Sequence, residues 1–337
     1  MRKEAGIEEW KALYDVTTRI QQMKPWEYLW DMDLIGIQYG KEEETVFYSI
    51  LGRGGECYGI AVYEGYDAFN QFLMLTMQER LNLSHEYVMF HQNNFTCYWG
   101  NRDELTDKQR NIIKELGYKY RGKNQWLYFL SLKKGYYPYN LNMEEVQRMT
   151  VYMNDLELAL KNYIESGITV SFDHGNMFSF VFGKDKKTWN FGEKPLPFTA
   201  FQWDNLVITD DKLLQELAKV PKGMMYLEAD IAPMGVPVGD KKYDRPANPV
   251  ICLVADAKSE MILKCEMKEP GADPIVTLAE EIIGFIFAYG APKEIHVSNV
   301  IVESGLEQIC DVCKIKLRRI KKLKAIEDFK IGMNRYM

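Results

Sequence analysis

Between Met224 and Leu317 the alternation of apolar and polar positions switches from a period of two to one near 3.6 and back, and each switch predicts a new element. Large residues alternate in MMYLEADIA, Met224 to Ala232, between a PKG turn and a Pro- and Gly-rich loop; that frame fits a strand. PVICLVADAKSEMILKCEMK, Pro249 to Lys268, is two apolar runs about the polar turn Asp256 to Glu260, which predicts an antiparallel hairpin. Asp273 and Pro274 supply an N-cap and an N1 proline, after which Ile275, Ala279, Ile282, Ile283, Ile286 and Phe287 recur at helical spacing until Gly290-Ala291-Pro292. Ile295, Val297 and Val300 mark a fourth strand. Ser304 with Glu307 forms a capping box that opens a helix through Cys313, and a last strand and helix follow at Ile315 to Ile320 and Leu323 to Ile331. The order βββαβαβα implies a mixed sheet with helices on its faces, because strand-to-helix returns are right-handed.

The first half is patterned in a similar way. Trp10, Leu13, Tyr14, Thr17 and Ile20 share one side of a helix that Pro25 closes. Strands are predicted at Leu34 to Gln38, Thr45 to Leu51, Cys57 to Tyr63, Glu86 to His91 and Gln125 to Leu132. Helices are predicted at Asp67 to Arg80, from the Thr106/Gln109 box to Leu116, and at Met143 to Ile164 after Asn142 and Glu145. The order βββαβαβ leaves open two copies of one architecture. Gly52 to Glu56 fits a hairpin turn needing positive φ, since no Lys-Ser/Thr or helix follows to make a phosphate loop. Strands from Ile168 to Phe182 and the aromatic connector TWNFGEKPLPFTAFQWDN lead to a helix at Asp211 to Val220. Two domains are therefore expected, an N-terminal α/β domain over 1–200 with a long helix and a hairpin, and a C-terminal domain over 201–337.

At YLEADIAPM, the LVADAKSEMIL hairpin and AYGAPKEIHVSNV the second half resembles the ribonuclease H-like fold, in particular integrase and transposase cores. The resemblance implies divalent metals held by carboxylates on the first strand, at the end of the fourth and on the last helix, where they steady the attacking and leaving oxygens of phosphoryl transfer. Asp230 matches the first acid, but Ser298 stands at the fourth-strand position with Asn299 beside it. A hydroxyl does not replace a carboxylate as an anchor for a hard cation. Glu327 or Asp328 could supply the last acid. Glu280 and Glu281, adjacent on a helix, point in different directions and fit solvated surface charge. The expectation is a catalytically degenerate core, not an enzyme, with no cofactor; Mg²⁺ or Mn²⁺ belongs only to the alternative of a divergent nuclease using Asp230 with Glu327 or Asp328. GYYPYNLNMEEVQRM, WEYLWDMDLI and LGRGGECYGIAVYEG resemble an uncharacterised bacterial family of paired domains of unknown function, a resemblance spanning most of the chain.

Composition narrows the rest. Apolar content of 47% and charged content of 27% over 337 residues fit a soluble globular protein. The longest apolar run, Ile282 to Ala291, is too short to span a bilayer, and MRKEAGIEEW lacks a secretory apolar region; cytoplasmic residence is expected. The one close cysteine pair, Cys310 and Cys313, lies inside a predicted helix without a second ligand pair, so reduced buried thiols fit better than zinc. Cys252 and Cys265 sit on the two hairpin arms, yet a cytosolic setting argues against a bridge. Net charge is -6, but Lys314 to Lys324, KIKLRRIKKLK, holds seven bases and no acid. A solvated face explains it more simply than a phosphate strip. If a nucleic acid is the partner, Arg318, Arg319, Lys321 and Lys322 are the residues to bind it; another protein is the other partner class. His296 is the one histidine with a candidate role, since it shares a face with Ser298.

Overall fold

The computed structural model of the chain describes residues 2–183 and 187–336, the side chains of 334–336 excepted. It divides into two compact units. One comprises the chain to Leu73, Gln92–Lys133 and Pro138–Ala200; the other comprises Met74–His91, Lys134–Tyr137 and the chain from Phe201. Among the described residues no helix is long and apolar enough to cross a membrane.

Up to residue 200 the elements are α1 (Ile7–Met23), β1 (Ile35–Gln38), β2 (Thr45–Leu51), β3 (Gly59–Glu64), α2 (Gly65–Leu81), α3 (His85–Met89), β4 (Asn94–Gly100), α4 (Asp107–Glu115), β5 (Trp126–Leu132), α5 (Met143–Ser166), β6 (Asn176–Phe182) and β7 (Trp189–Pro195). The strands form one sheet in the order β5-β4-β3-β2-β1-β6-β7, antiparallel throughout except for the parallel pair β1–β6. Val46, Tyr48 and Ile50 alternate along β2 into a core shared with Trp10, Leu13, Tyr14 and Ile20 of α1 and Val146, Met149, Met153, Leu156 and Leu160 of α5. Each large apolar side chain buried there contributes about 1.5–3 kcal/mol, so packing rather than helix propensity holds α1 and α5. Phe47, on the opposite face of β2, stacks on Phe69 of α2.

In the second unit follow α6 (Asp211–Leu217), β8 (Tyr226–Pro233), β9 (Val250–Asp256), β10 (Ile262–Lys268), α7 (Pro274–Tyr289), β11 (Glu294–Val297), α8 (Val300–Val312), β12 (Lys316–Arg319) and α9 (Lys324–Tyr336). The sheet order is β10-β9-β8-β11-β12, with the first three strands antiparallel and the last three parallel. That is a mixed sheet of the order and directions expected of a ribonuclease H-like domain. Side chains alternate along β8. Glu228, Asp230 and Ala232 share the face on which Leu323 and, from α9, Ala325 and Ile326 pack with Ile251, Leu253 and Ala255. Leu227, Ala229 and Ile231 are buried on the other face, where α7 and α8 lie against the sheet. Gly290 ends α7 at φ +91, and a Cβ there would meet the Pro221 carbonyl at 2.9 Å.

Several expectations need correction. In the first half the segment expected as the fourth strand is a helix and β4 (Asn94–Gly100) follows it; β4 lies antiparallel beside β3, whereas β11 crosses over to lie parallel beside β8. The two sheets are therefore not copies of one architecture. The strand expected at Glu86 to His91 is the helix α3: Ser84 accepts the Tyr87 N–H at 3.1 Å, and Tyr87 and Val88 are consecutively buried rather than alternating. Ser304 does not open a helix. It lies inside α8 and bonds back to the Val300 carbonyl at 2.7 Å, because Asn299 has already capped the helix and so withdraws Val300 from the strand. Part of the aromatic connector is a strand, β7, paired with β6. Cys252 lies opposite Glu266 and Cys265 opposite Leu253, which puts the two thiols on opposite faces of the hairpin, and both are free.

Candidate functional site

Period two on β8 delivers two carboxylates, Glu228 and Asp230, to the α9 face. Glu228 caps α9 across the sheet, accepting the Ile326 N–H at 3.2 Å. Burial pushes its carboxyl up, and the backbone N–H groups of Ile326, Ala325 and Lys324 pull partly back. Asp230, two residues on, is 5% exposed. Because β11 runs parallel beside β8 and ends at Val297, Ser298 and Asn299 arrive at the Asp230 carboxylate. Ser298 Oγ donates to Asp230 Oδ1 at 3.1 Å, and Asn299 Nδ2 reaches the same oxygen at 3.4 Å. Asn299 is held by its own cap, with Oδ1 accepting the N–H groups of Ile301 and Val302 at 3.1 Å each. The second oxygen, Asp230 Oδ2, accepts Lys330 Nζ at 3.0 Å.

These groups line an open cleft of about 220 Å³ together with Asn82, Ser84, Tyr87, Lys321 and Glu327. Of the two acids proposed for the last helix, Glu327 borders the cleft, while Asp328 is exposed and does not line it. The residue of α9 that meets Asp230 is a lysine, one turn after Ile326 on the sheet-facing side. No local pattern singles out Lys330 in the sequence, since its partner lies 100 residues away. Among the described residues no group of three or more His, Cys, Asp or Glu side chains is placed to hold a metal ion. The donor set does not fit a divalent cation: a hydroxyl and an amide occupy one carboxylate oxygen and an ammonium the other, whereas hard cations need converging anionic oxygens. Glu281 pairs with Lys264 at 3.1 Å and Glu280 is exposed; neither lines the cleft.

The basic run splits. Glu294 receives both Lys316 at 3.4 Å and Arg318 at 3.2 Å, and His296 Nε2 lies 3.3 Å from the same carboxylate. Burial pushes the Glu294 carboxyl up, but His296, Lys316 and Arg318 together hold it below the usual range. Arg319 pairs with Glu303 at 3.3 Å. Lys321 lines the Asp230 cleft and Lys322 is exposed. His296 thus serves an ion-pair cluster on β11 and is no neighbour of the Ser298 hydroxyl in its hydrogen bonding.

In comparison with known proteins, the family described as Domain of unknown function (DUF7309) matches residues 10–179. A second, described as Domain of unknown function (DUF6930), matches residues 213–334. No curated protein matches the chain. Among solved structures it is similar to the HTLV-2 integrase catalytic core domain in complex with magnesium, at 16% identity over 35% of this chain and 73% of that one. The TM-scores are 0.24 for the dimeric form and 0.25 for the trimeric form. The simian T-cell lymphotropic virus intasome in complex with PP2A regulatory subunit B56 gamma matches at 14% identity, over 35% of this chain and 44% of that one, with a TM-score of 0.25. Scores of that size do not establish a shared fold; the topology above stands on strand order and direction.

Proposed function

The chain belongs to the family described as Domain of unknown function (DUF7309), and from that premise we propose that its C-terminal unit is a non-catalytic binding module, a ribonuclease H-like sheet whose acidic site has been closed by a lysine. Its partner is a nucleic acid or another protein, met in the cytoplasm. The observation that supports this is the Lys330–Asp230 pair at 3.0 Å. The ammonium supplies one fixed positive charge where paired metals would supply four, and it leaves no vacant oxygen on the carboxylate for a second ligand. Ser298 and Asn299 complete a neutral, hydrogen-bonded set suited to holding shape. Of the basic run, Lys321 and Lys322 remain available to a partner, while Arg318 and Arg319 are engaged by Glu294 and Glu303.

The test is a cleavage assay of the full chain on single-stranded DNA, duplex DNA and an RNA–DNA hybrid with Mg²⁺ or Mn²⁺. The expected result is no cleavage beyond that of Asp230→Asn and no metal-induced rise in melting temperature. Metal-dependent cleavage that disappears in Asp230→Asn would establish the competing reading, a divergent nuclease using Asp230 with Glu327.

A further inference from the structure

In the N-terminal unit, the end of α4, the loop after it and the start of β5 enclose a cleft of about 450 Å³ lined by Arg102, Arg110, Lys114 and Lys119 with Tyr118 and Trp126. No carboxylate lines it. Arg110 is engaged by Asp107 and the Leu105 carbonyl. Among the described residues, Arg102, Lys114 and Lys119 have no ion-pair partner. The cations are thus concentrated and uncompensated in a chain of net charge -6, and a concave wall focuses their field on whatever enters. The negative end of α4 does not neutralise them, since its last carbonyls are taken by a tight cap: Leu116, Gly117 and Tyr118 donate to Ile112, Lys114 and Ile113.

The aromatic wall is preorganised. Tyr118 is stacked between Tyr14 and Tyr120 at centroid distances of 5.5 and 5.6 Å, and its hydroxyl donates to Asp15. Tyr120 in turn packs edge-on to Trp126 at 6.0 Å. Trp126 is half-buried, and the guanidinium of Arg102, which is exposed, lies 5.9 Å over its ring. Cations alone would suit any anion, and a tryptophan alone would suit any apolar group. Their combination in one cleft of ligand size, within the usual range of about 300–1,000 Å³, suits a flat ring that carries a phosphate. We infer that this cleft binds a nucleotide unit, its base stacked on Trp126 beneath Arg102 and its phosphate held by Lys114 and Lys119. The unit comes either from a single strand of nucleic acid or from a free nucleotide. This inference rests on the N-terminal unit alone and does not require the reading given for the Asp230 cleft.

The experiment is fluorescence anisotropy of the full chain with a labelled oligothymidylate of about a dozen nucleotides at low ionic strength, with ATP and inorganic tripolyphosphate as competitors. Lys114→Glu/Lys119→Glu, both exposed, should weaken binding on the order of a hundredfold. Trp126→Ala should weaken it about tenfold, with Trp126→Phe recovering most of the loss because a stacking face returns. The melting temperature of each variant confirms that it is folded. Displacement by ATP at concentrations where tripolyphosphate is inert identifies the free nucleotide as a ligand; displacement only by unlabelled oligonucleotide identifies the strand. No binding of either, binding unmoved by Lys114→Glu/Lys119→Glu, or tripolyphosphate competing as well as ATP with no effect of Trp126→Ala would overturn the inference.

Discussion

Lysine and arginine are concentrated in two parts of this chain, and the fold treats them in opposite ways. Lys314 to Lys324 has seven bases and no acid, yet Glu294, Glu303 and Glu260 meet Lys316, Arg318, Arg319 and Lys324 from other elements. The stretch from Arg102 to Lys119 mixes acids with bases, yet four of its cations line a cleft with no carboxylate in its lining and, among the described residues, only Arg110 of them is paired. Charge counted along a sequence is therefore a poor guide to surface potential. An ion pair forms within about 4 Å, and which groups come that close is decided by strand register and helix packing. Arg318 meets Glu294 because β12 lies parallel beside β11 with His296 opposite Arg318.

The comparison can be pressed hardest where the second unit declines to carry a charge at all. His91 is buried, its Nδ1 lies 2.7 Å from the Tyr87 carbonyl, and its ring stacks on Tyr87. Burial, with Lys134 nearby, pushes its pKa from 6.5 down to about 4, against the opposing pull of the Tyr87 carbonyl and Asp273. Between those two values the unfolded chain binds more protons than the folded one. Stability is therefore full above pH 6.5 and falls as pH drops towards 4, by about 3 kcal/mol in all. Urea midpoints across that window should show the slope in the native chain and its loss in His91→Phe. An equal slope in both would mean the imidazole is not the buried base. Next in size is the open cleft. Replacing Lys114 and Lys119 should lower the magnitude of the salt slope for single-stranded oligonucleotide by about 1.4, roughly 0.7 for each phosphate contact removed. An unchanged slope would mean that the cleft is as compensated as the run.

A smaller effect is expected at the paired site. Lys330→Met keeps the apolar stem but leaves Asp230 Oδ2 without its donor, which should cost about 1–2 kcal/mol in a denaturant melt, less than a fully buried pair because the lysine is partly solvated. No loss of stability would mean that the ammonium is incidental to the site.

How much of this could be seen in the sequence follows the same division between local and distant causes. The second sheet was legible because the alternation at Tyr226, the apolar runs at Val250 and Ile262 about a polar turn, and the Asp273-Pro274 cap are local signals, and they fell where expected. The resemblance to the ribonuclease H-like fold set Asp230 and Ser298 at two positions of one expected site, and the Ser298 hydroxyl does meet the Asp230 carboxylate. Ser304 misled because a capping-box pattern also fits the interior of a helix, and the stronger cap, Asn299, sits five residues earlier. The α3 segment misled because five residues are too few to separate a helical from an alternating pattern. Lys330 and the carboxylates facing the basic run were invisible for a different reason. Each acts across a separation that no local period encodes, such as 100 residues between Lys330 and Asp230.

The smallest effect separates the two basic regions most directly. If Glu294 and Glu303 are what silence the run, then Glu294→Gln/Glu303→Gln releases Lys316, Arg318 and Arg319 without touching a base. Each freed cation adds a phosphate contact at low ionic strength, so oligonucleotide affinity should rise about two- to fivefold, with the gain lost at high salt. Adding Lys316→Ala/Arg318→Ala/Arg319→Ala to that variant should return affinity to its starting value. In the native chain, neutralising Arg318, Arg319, Lys321 and Lys322 should change affinity by less than about threefold, since only the two lysines are unpaired there. A tenfold or larger loss from that native-background substitution would reverse the comparison, because it would make the run, and not the Trp126 cleft, the anion surface of the chain.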